Sequence, residues 1–442
     1  MGGFLFGYDW VVIGGAKPFY EVFFQISGSA QLQAWAMSSA ILGCVLGAVF
    51  SGFLSDNYGR RKPLLLSAAL FFIASIGTGL AETLWVFIGF RILGGVGIGL
   101  ASAISTVYIA EIAPAAFRGR FVALNQLTIV IGILSAQIVN YLIAEKVPLG
   151  ADEAFILGSW NGQMGWRWMF FVCAFPSLVF LLMLMLMPES PHWLLKAGKT
   201  EKAMRILQRV GGSDYANSES ATIQNALNQA SEITSLRKLI ALGMGNVLVL
   251  GVVIAVFQQW SGINTVFNYA QEVFAAAGYG ISDTLFNIVF TGSVNLVFTL
   301  IAMNKIDKWG RKSLMLAGAS GLAVIYLFLG GAFYFDLKGM VVLLLVVAAI
   351  AIYAMTLAPV TWVVLSEIFP TKVRGAAMAL STFALWTACF ILTYTFPLMN
   401  EALGTSGTFW VYGLICAAGF WFILKNLPET KHKTLEEIEK LL

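Results

Sequence analysis

Asp9 stands in FLFGYDWVVIGGAKPFY, residues 4–20, among Phe4, Leu5, Phe6, Val11, Val12 and Ile13. A carboxylate at membrane depth costs about 2.5–3.5 kcal/mol on insertion scales, so one that persists needs a partner or a task. Arg91, in WVFIGFRILGGVGIGLAS, is the cation that falls inside another apolar stretch. A pairing of Asp9 with Arg91 is therefore expected. It reads either as a static bridge or as a proton switch. Arginine keeps its proton, so in a switch Asp9 is the member that takes one when the pair parts.

A second set of polar groups is uncharged: Gln126 in LNQLTIVIG, Gln258, Gln259 and Asn264 in FQQWSGINTVFNYA, Asn268 one turn later, and Asn295 in GSVNLVFT. Carboxamides both donate and accept, as each hydroxyl of a polyol or sugar does. A single amide in a span serves as helix-to-helix glue. Several, in the fifth, seventh and eighth apolar runs, point to a ligand rich in hydroxyls. Ser261-Gly262 is placed to break the helix carrying them and free backbone groups toward a cavity. Trp362 follows Pro359 in LAPVTWVVLSE, where a second break is expected and where a flat indole can pack on the C–H face of a pyranose.

A third set lies in polar turns and occurs twice. SDNYGRRK at 55–62 is answered by IDKWGRKS at 306–313, YIAEIAPAAFRG at 108–119 by VLSEIFPTKVRG at 364–375, and MPESP at 187–191 by LPETK at 427–431. The two sets of charges are Asp56, Arg60, Glu111, Arg118 and Glu189, then Asp307, Arg311, Glu367, Arg374 and Glu429. They read as anchors at helix ends or, since each cation recurs with a carboxylate, as ion pairs that form in one state and part in another.

The elements that must position these groups are membrane helices. The 442-residue chain is 59% hydrophobic and 11% charged, with 34 Phe and 13 Trp, more apolar surface than a soluble core can cover. Apolar runs of about 20 residues, each long enough to cross a bilayer, centre near residues 14, 44, 72, 100, 130, 177, 255, 293, 323, 355, 387 and 417. Of the 27 Lys and Arg, 22 fall in alternate turns and the tail, which puts both termini in the cytosol by the positive-inside rule. The repeats divide the chain into an N-terminal six-helix half (1–188), a cytosolic helical linker (189–238), a C-terminal six-helix half (239–427) and a cytosolic tail (428–442). The expected fold is all-α and integral to the membrane, twelve helices in two pseudo-symmetric halves.

Cys44, Cys173, Cys389 and Cys416 fall in four different spans, and His192 and His432 in polar segments. Buried free thiols are expected, and no metal, no cofactor and no intramembrane histidine relay. That leaves little for a membrane enzyme to work with. Nor is a cleavable signal peptide evident. Only eight residues precede Asp9, less than half a span, which suggests residues missing before Met1.

Taken in order, FGYD, D-x-x-GRR, FRILGG, EIAP with RG, PESP, QQWSGIN, SEIFP with RG, and PETK resemble the sugar porter family of the major facilitator superfamily from end to end. Within it the chain looks most like the bacterial sugar–proton symporters of the xylose–proton type, and more distantly like the facilitative glucose transporters. The resemblance implies sugar-binding amides at Gln126, Gln258, Gln259, Asn264 and Asn295, an aromatic floor at Phe6 and Trp362, and proton coupling by Asp9 with Arg91. Asn268 and Trp386 complete the expected substrate set. The facilitative relatives carry Asn at the Asp9 position, so aspartate favours symport. Asn268 stands where the family has a tyrosine, Leu385 where the xylose type has a sugar-contacting amide, Ala358 where the tenth span has glycine, and His192 where PESPRWL has arginine; xylose specificity does not carry over.

The expectation is a plasma-membrane transporter, functional as a monomer, importing a hexose or pentose with protons by alternating access, with no nucleic-acid partner. The alternatives are an uncoupled sugar uniporter, a polyol transporter, or a sugar-sensing receptor on the same scaffold.

Overall fold

A chain crossing lipid must pair its backbone N–H and C=O groups within itself, which leaves helices as the element for long apolar runs. The computed structural model describes residues 1–113, 118–229, 245–369 and 374–431. The first half contains α1 (Gly2–Phe23), α2 (Ala30–Tyr58), α3 (Arg61–Gly79), α4 (Leu84–Ile112), α5 (Arg118–Ile143), the short α6 (Glu153–Gly158), a π-turn at Asn161–Gly165 and α7 (Trp166–Leu186). The connecting segment forms α8 (Pro191–Lys196) and α9 (Thr200–Gln229), the latter kinked at Gly212 and packed on α8 through Leu194, Leu195, Ala203 and Ile223.

The second half contains α10 (Gly245–Trp260), α11 (Ile263–Asn268), α12 (Ala270–Ala276), α13 (Ile281–Trp309), α14 (Arg311–Tyr334), α15 (Met340–Met355), α16 (Leu357–Ile368) and α17 (Arg374–Asn426). Ten stretches are long and apolar enough to cross a membrane; α1, and the division of α17 at Gly404, bring the spans to the expected twelve. At Gly404 φ is 68°, the left-handed region that glycine enters without a Cβ penalty, so the eleventh and twelfth spans turn back with no longer loop.

Both expected breaks are present. Gly262, at φ 82°, separates α10 from α11, and a Cβ there would press on the Tyr412 ring. The second break falls earlier than Pro359: Thr356 interrupts the helix, its Oγ1 donating to the Ile352 carbonyl at 2.6 Å, and α16 restarts at Leu357. Pro359 thus sits in the first turn of α16, where a missing N–H leaves no bond unmade.

Glycines set how closely the helices approach. Gly43 and Gly47 of α2 face Gly95 and Gly99 of α4, and a Cβ on any of the four would run into a backbone carbonyl of the other helix. Gly7 of α1 and Gly132 of α5 stand in the same relation. Small residues at these points allow backbone-to-backbone packing in lipid, where apolar burial gives helices no reason to associate. Gly95→Ala is expected to cost about 1–3 kcal/mol, as overpacking does, because the Ala40 carbonyl cannot turn aside as a side chain would. A thermal-unfolding midpoint equal to that of the wild type would contradict this.

The two halves meet where α2 lies along α17, α5 along α13, and α1 against α11 and α12. The helices that carry Asp9 and the seventh-span amides are therefore immediate neighbours across the interface.

Candidate functional site

The centre is built on α1. Asp9 and Arg91 are 6% and 3% exposed, and Arg91 Nη1 donates to Asp9 Oδ1 at 2.8 Å. A second guanidinium nitrogen lies 3.4 Å from the Asp9 backbone oxygen, and the guanidinium carbon stands 5.5 Å from the Phe170 ring centroid. The pair bridges α1 and α4 through one carboxylate oxygen and the Asp9 backbone carbonyl. Asp9 Oδ2 and Arg91 Nε are buried without a hydrogen-bond partner. One of the two carboxylate oxygens thus makes no hydrogen bond.

These groups border a cavity of about 10 Å³ shared with Trp10, Cys44 and Asn268. By its sequence position Asn268 groups with the sugar amides. In the structure it also lines the Asp9–Arg91 cavity, with its Oδ1 buried and unpartnered. The reason is geometric: α1 passes so close that a Cβ on Gly14 would come within 3.1 Å of the Asn268 carbonyl.

The other amides form a chain. Gln258 Nε2 donates to Tyr353 Oη at 2.6 Å, Gln259 Nε2 to Gln258 Oε1 at 2.6 Å, and Asn264 Nδ2 to Gln259 Oε1. The break at Gly262 brings the last two together by letting α11 start beside the end of α10. Tyr353, on α15, lies outside the expected set; its one signal is a hydroxyl within an otherwise apolar run, IAIYAMT.

An aromatic group spans the interface between the halves. Phe6 meets Trp386 edge-on at 5.6 Å, and Trp10 lies 5.9 Å from each of them. Trp10 is likewise outside the expected set, overshadowed in the sequence by the aspartate beside it. Gln126 on α5 and Trp362 on α16 are half-buried, and Asn295 on α13 is buried; among the described residues no hydrogen bond joins these three to the amide chain.

The repeated charges form two matching ladders. Arg60 grips Glu111 with Nε and Nη2 at 2.8 and 2.7 Å, Ser190 donates to the same carboxylate, and Glu189 accepts from the backbone N–H of Arg60 at 2.8 Å and of Arg61 at 3.2 Å. In the second half Arg311 lies 3.0 Å from Glu367, Thr430 donates to Glu367 at 2.6 Å, and Glu429 accepts from the N–H groups of Arg311 and Lys312 at 2.9 and 3.1 Å. Glu189 and Glu429 therefore hold helix starts, satisfying orphan N–H donors, where the sequence suggests side-chain ion pairs. Gly59 and Gly310, at φ 87° and 86°, leave room for those carboxylates.

None of these bonds joins one half to the other. Asp56 is largely exposed, 3.1 Å from Lys196 on the connecting segment and 4.0 Å from Arg60. The side chains of Arg118, Asp307 and Arg374 lie outside the described residues.

The chain has relatives among known proteins. The family model described as Sugar (and other) transporter matches residues 1–442. The arabinose-proton symporter of Bacillus subtilis (strain 168) is 38% identical over 442 residues, covering 100% of this chain and 93% of that one. The D-xylose-proton symporter of Escherichia coli (strain K12) is 38% identical over 471 residues, covering 100% and 94%. Among solved structures, the inward open conformation of the xylose transporter XylE from E. coli superposes with a TM-score of 0.86 at 37% identity, covering 100% of this chain and 97% of that one. The proton:xylose symporter XylE bound to 6-bromo-6-deoxy-D-glucose gives 0.82 at 38% identity, covering 100% and 96%. With twelve spans in two related halves and a match along its whole length, the chain belongs to the sugar (and other) transporter family of the major facilitator superfamily.

Proposed function

We propose that this protein imports a monosaccharide, a hexose or pentose, by proton symport through alternating access. The observation that carries the reading is the buried Asp9–Arg91 pair, closed at 2.8 Å beside a seventh span already broken at Gly262. The named activities of the arabinose- and xylose-proton symporters support it. Asp9 is the proton carrier, with Arg91 its counter-ion. Sugar binds to Gln126, Gln258, Gln259, Asn264 and Asn295 against Phe6, Trp362 and Trp386. The amides bond one another, so a ligand exchanges those bonds for its own rather than meeting unpaired groups.

In this scheme both termini and the segment 189–238 face the cytosol, the halves are 1–188 and 239–427, and the protein works as a monomer in the inner membrane. The ladders stiffen each half at its cytosolic end, with Asp56, Arg118, Asp307 and Arg374 at the mouth, so that the halves rock as bodies. Asn268, beside Asp9, reports the sugar's arrival in the seventh span to the proton site.

The test is uptake in proteoliposomes with acid outside. Accumulation of a labelled pentose or hexose above equilibrium supports symport; entry that ignores the gradient makes the protein a uniporter. Binding to Gln259→Ala is expected to fall about 10-fold or more, since two or more hydrogen bonds worth about 0.5–1.5 kcal/mol each are lost. Calorimetric titration across pentoses, hexoses and inositols checks this and names the ligand; unchanged affinity would remove Gln259 from the site.

A further inference from the structure

Lys17 lies inside α1 and is 3% exposed. Its end of α1 is the one away from the ladders: Gly2, at the start, packs beside Ser105 on the part of α4 that leads to Glu111. Lys17 Nζ contacts two carboxylates, Glu21 at 2.7 Å one turn along α1, and Glu272 on α12 of the other half. Glu21 is buried, and the Glu272 side chain is about a quarter exposed. The bond from Lys17 to Glu272 therefore joins the two halves at this end.

The charges do not balance. One ammonium faces two carboxylates, and the other titratable groups around them are phenols: Tyr20 on α1, its hydroxyl buried and unpartnered, and Tyr269 between α11 and α12, its ring 5.7 Å from Lys17 Nζ and its hydroxyl committed to the Thr393 carbonyl. Arg91, on α4, is the further cation within electrostatic reach of Tyr20, but it is held by Asp9. Glu272 Oε2 is buried with no hydrogen-bond partner. Two carboxylates facing one ammonium, Glu21 buried and Glu272 largely screened from water, do not both stay ionised at little cost; a proton on one of them removes the excess charge.

We propose that Lys17, Glu21 and Glu272 form a second proton site, a latch between the halves that takes up one proton from the outer solution when it closes and returns it there when it opens. The proposal rests on the alternating-access reading above. When α1 and α12 part, both carboxylates meet water and the proton leaves. The sign follows: the closed state binds one proton more than the open state, so acid on the outer side favours closure. That is the direction in which an inward proton gradient should drive an importer.

The test keeps this site apart from Asp9. In an Asp9→Asn background, nitroxide labels at Gln31→Cys on α2 and Glu401→Cys on α17, both exposed, report the separation of the two halves at this end by pulsed electron–electron resonance, the native cysteines being buried. As pH falls, the ratio of short to long distances should rise about tenfold per unit over the range in which one proton is bound. Glu21→Gln and, on the other half, Glu272→Gln should each flatten that response with the short distance favoured throughout. Lys17→Gln should shift the response to lower pH, and Lys17→Arg should restore it. A distance distribution indifferent to pH, or one whose pH response is unchanged by both glutamine variants, overturns the latch. Failure of the wild type to accumulate sugar under a pH gradient would overturn symport instead, and leaves these distances to be judged on their own.

Discussion

Asp9→Asn is expected to abolish accumulation while exchange persists. With one proton per sugar, a difference of one pH unit can hold about a tenfold sugar gradient, because each unit is worth about 1.4 kcal/mol. The variant should bring the internal concentration to the external one and no higher. Asparagine keeps the shape and one acceptor for Arg91 Nη1, but it cannot take a proton. Counterflow, in which labelled sugar outside exchanges with unlabelled sugar inside, needs only the sugar site and the rocking of the halves. It should survive within a few-fold. Accumulation above equilibrium in Asp9→Asn proteoliposomes would remove Asp9 from the coupling path, and loss of counterflow as well would make its role structural.

Arg91→Met is expected to be the more damaging to the fold. Removing one partner of a buried ion pair costs about 3–5 kcal/mol, since the remaining charge stays out of water. Asp9, 6% exposed, has no other cation bonded to it among the described residues. Its escape is to take a proton. The native state of the variant then binds a proton that the unfolded chain releases near neutral pH, so its stability should rise as pH falls. The double variant Asp9→Asn with Arg91→Met has no buried charge to strand and should recover most of the loss at neutral pH. Thermal unfolding in detergent across pH 5 to 8 measures both effects. Equal midpoints for the single and double variants would show that the pair contributes nothing through its charge. Neither variant should accumulate sugar.

Much of this site is legible in the amino-acid sequence alone. Asp9 and Arg91 are charges in two separate apolar runs, and a charge in lipid with one opposite charge at similar depth has few choices. The pairing follows from cost alone. The break at Ser261-Gly262 is legible because glycine beside a run of amides marks freed backbone. The second break is legible in kind but displaced toward Pro359, since proline is tolerated in a helix's first turn and Thr356 carries no comparable mark.

The illegible features share one cause. Whether Asn268 faces Asp9 depends on the rotation of α11 and on how near α1 comes, and that nearness rests on Gly14. Tyr353 reaches Gln258 from a span 95 residues away. Glu189 and Glu429 read in one dimension as partners for side-chain cations; they cap helix starts because Gly59 and Gly310 turn the backbone amides toward them.

The sequence by itself determined the kinds of chemistry, the twelve spans, the twofold repeat and the family, because hydrophobic length, the depth of a charge and motif order are properties of the chain taken in one dimension. Only the tertiary structure decided which acceptor each donor meets, and that Lys17 bridges the halves with two carboxylates around it. Helical periodicity shows which residues share a face. It carries no record of which face of a distant helix will lie opposite, and that is set by how closely glycines let whole helices pack.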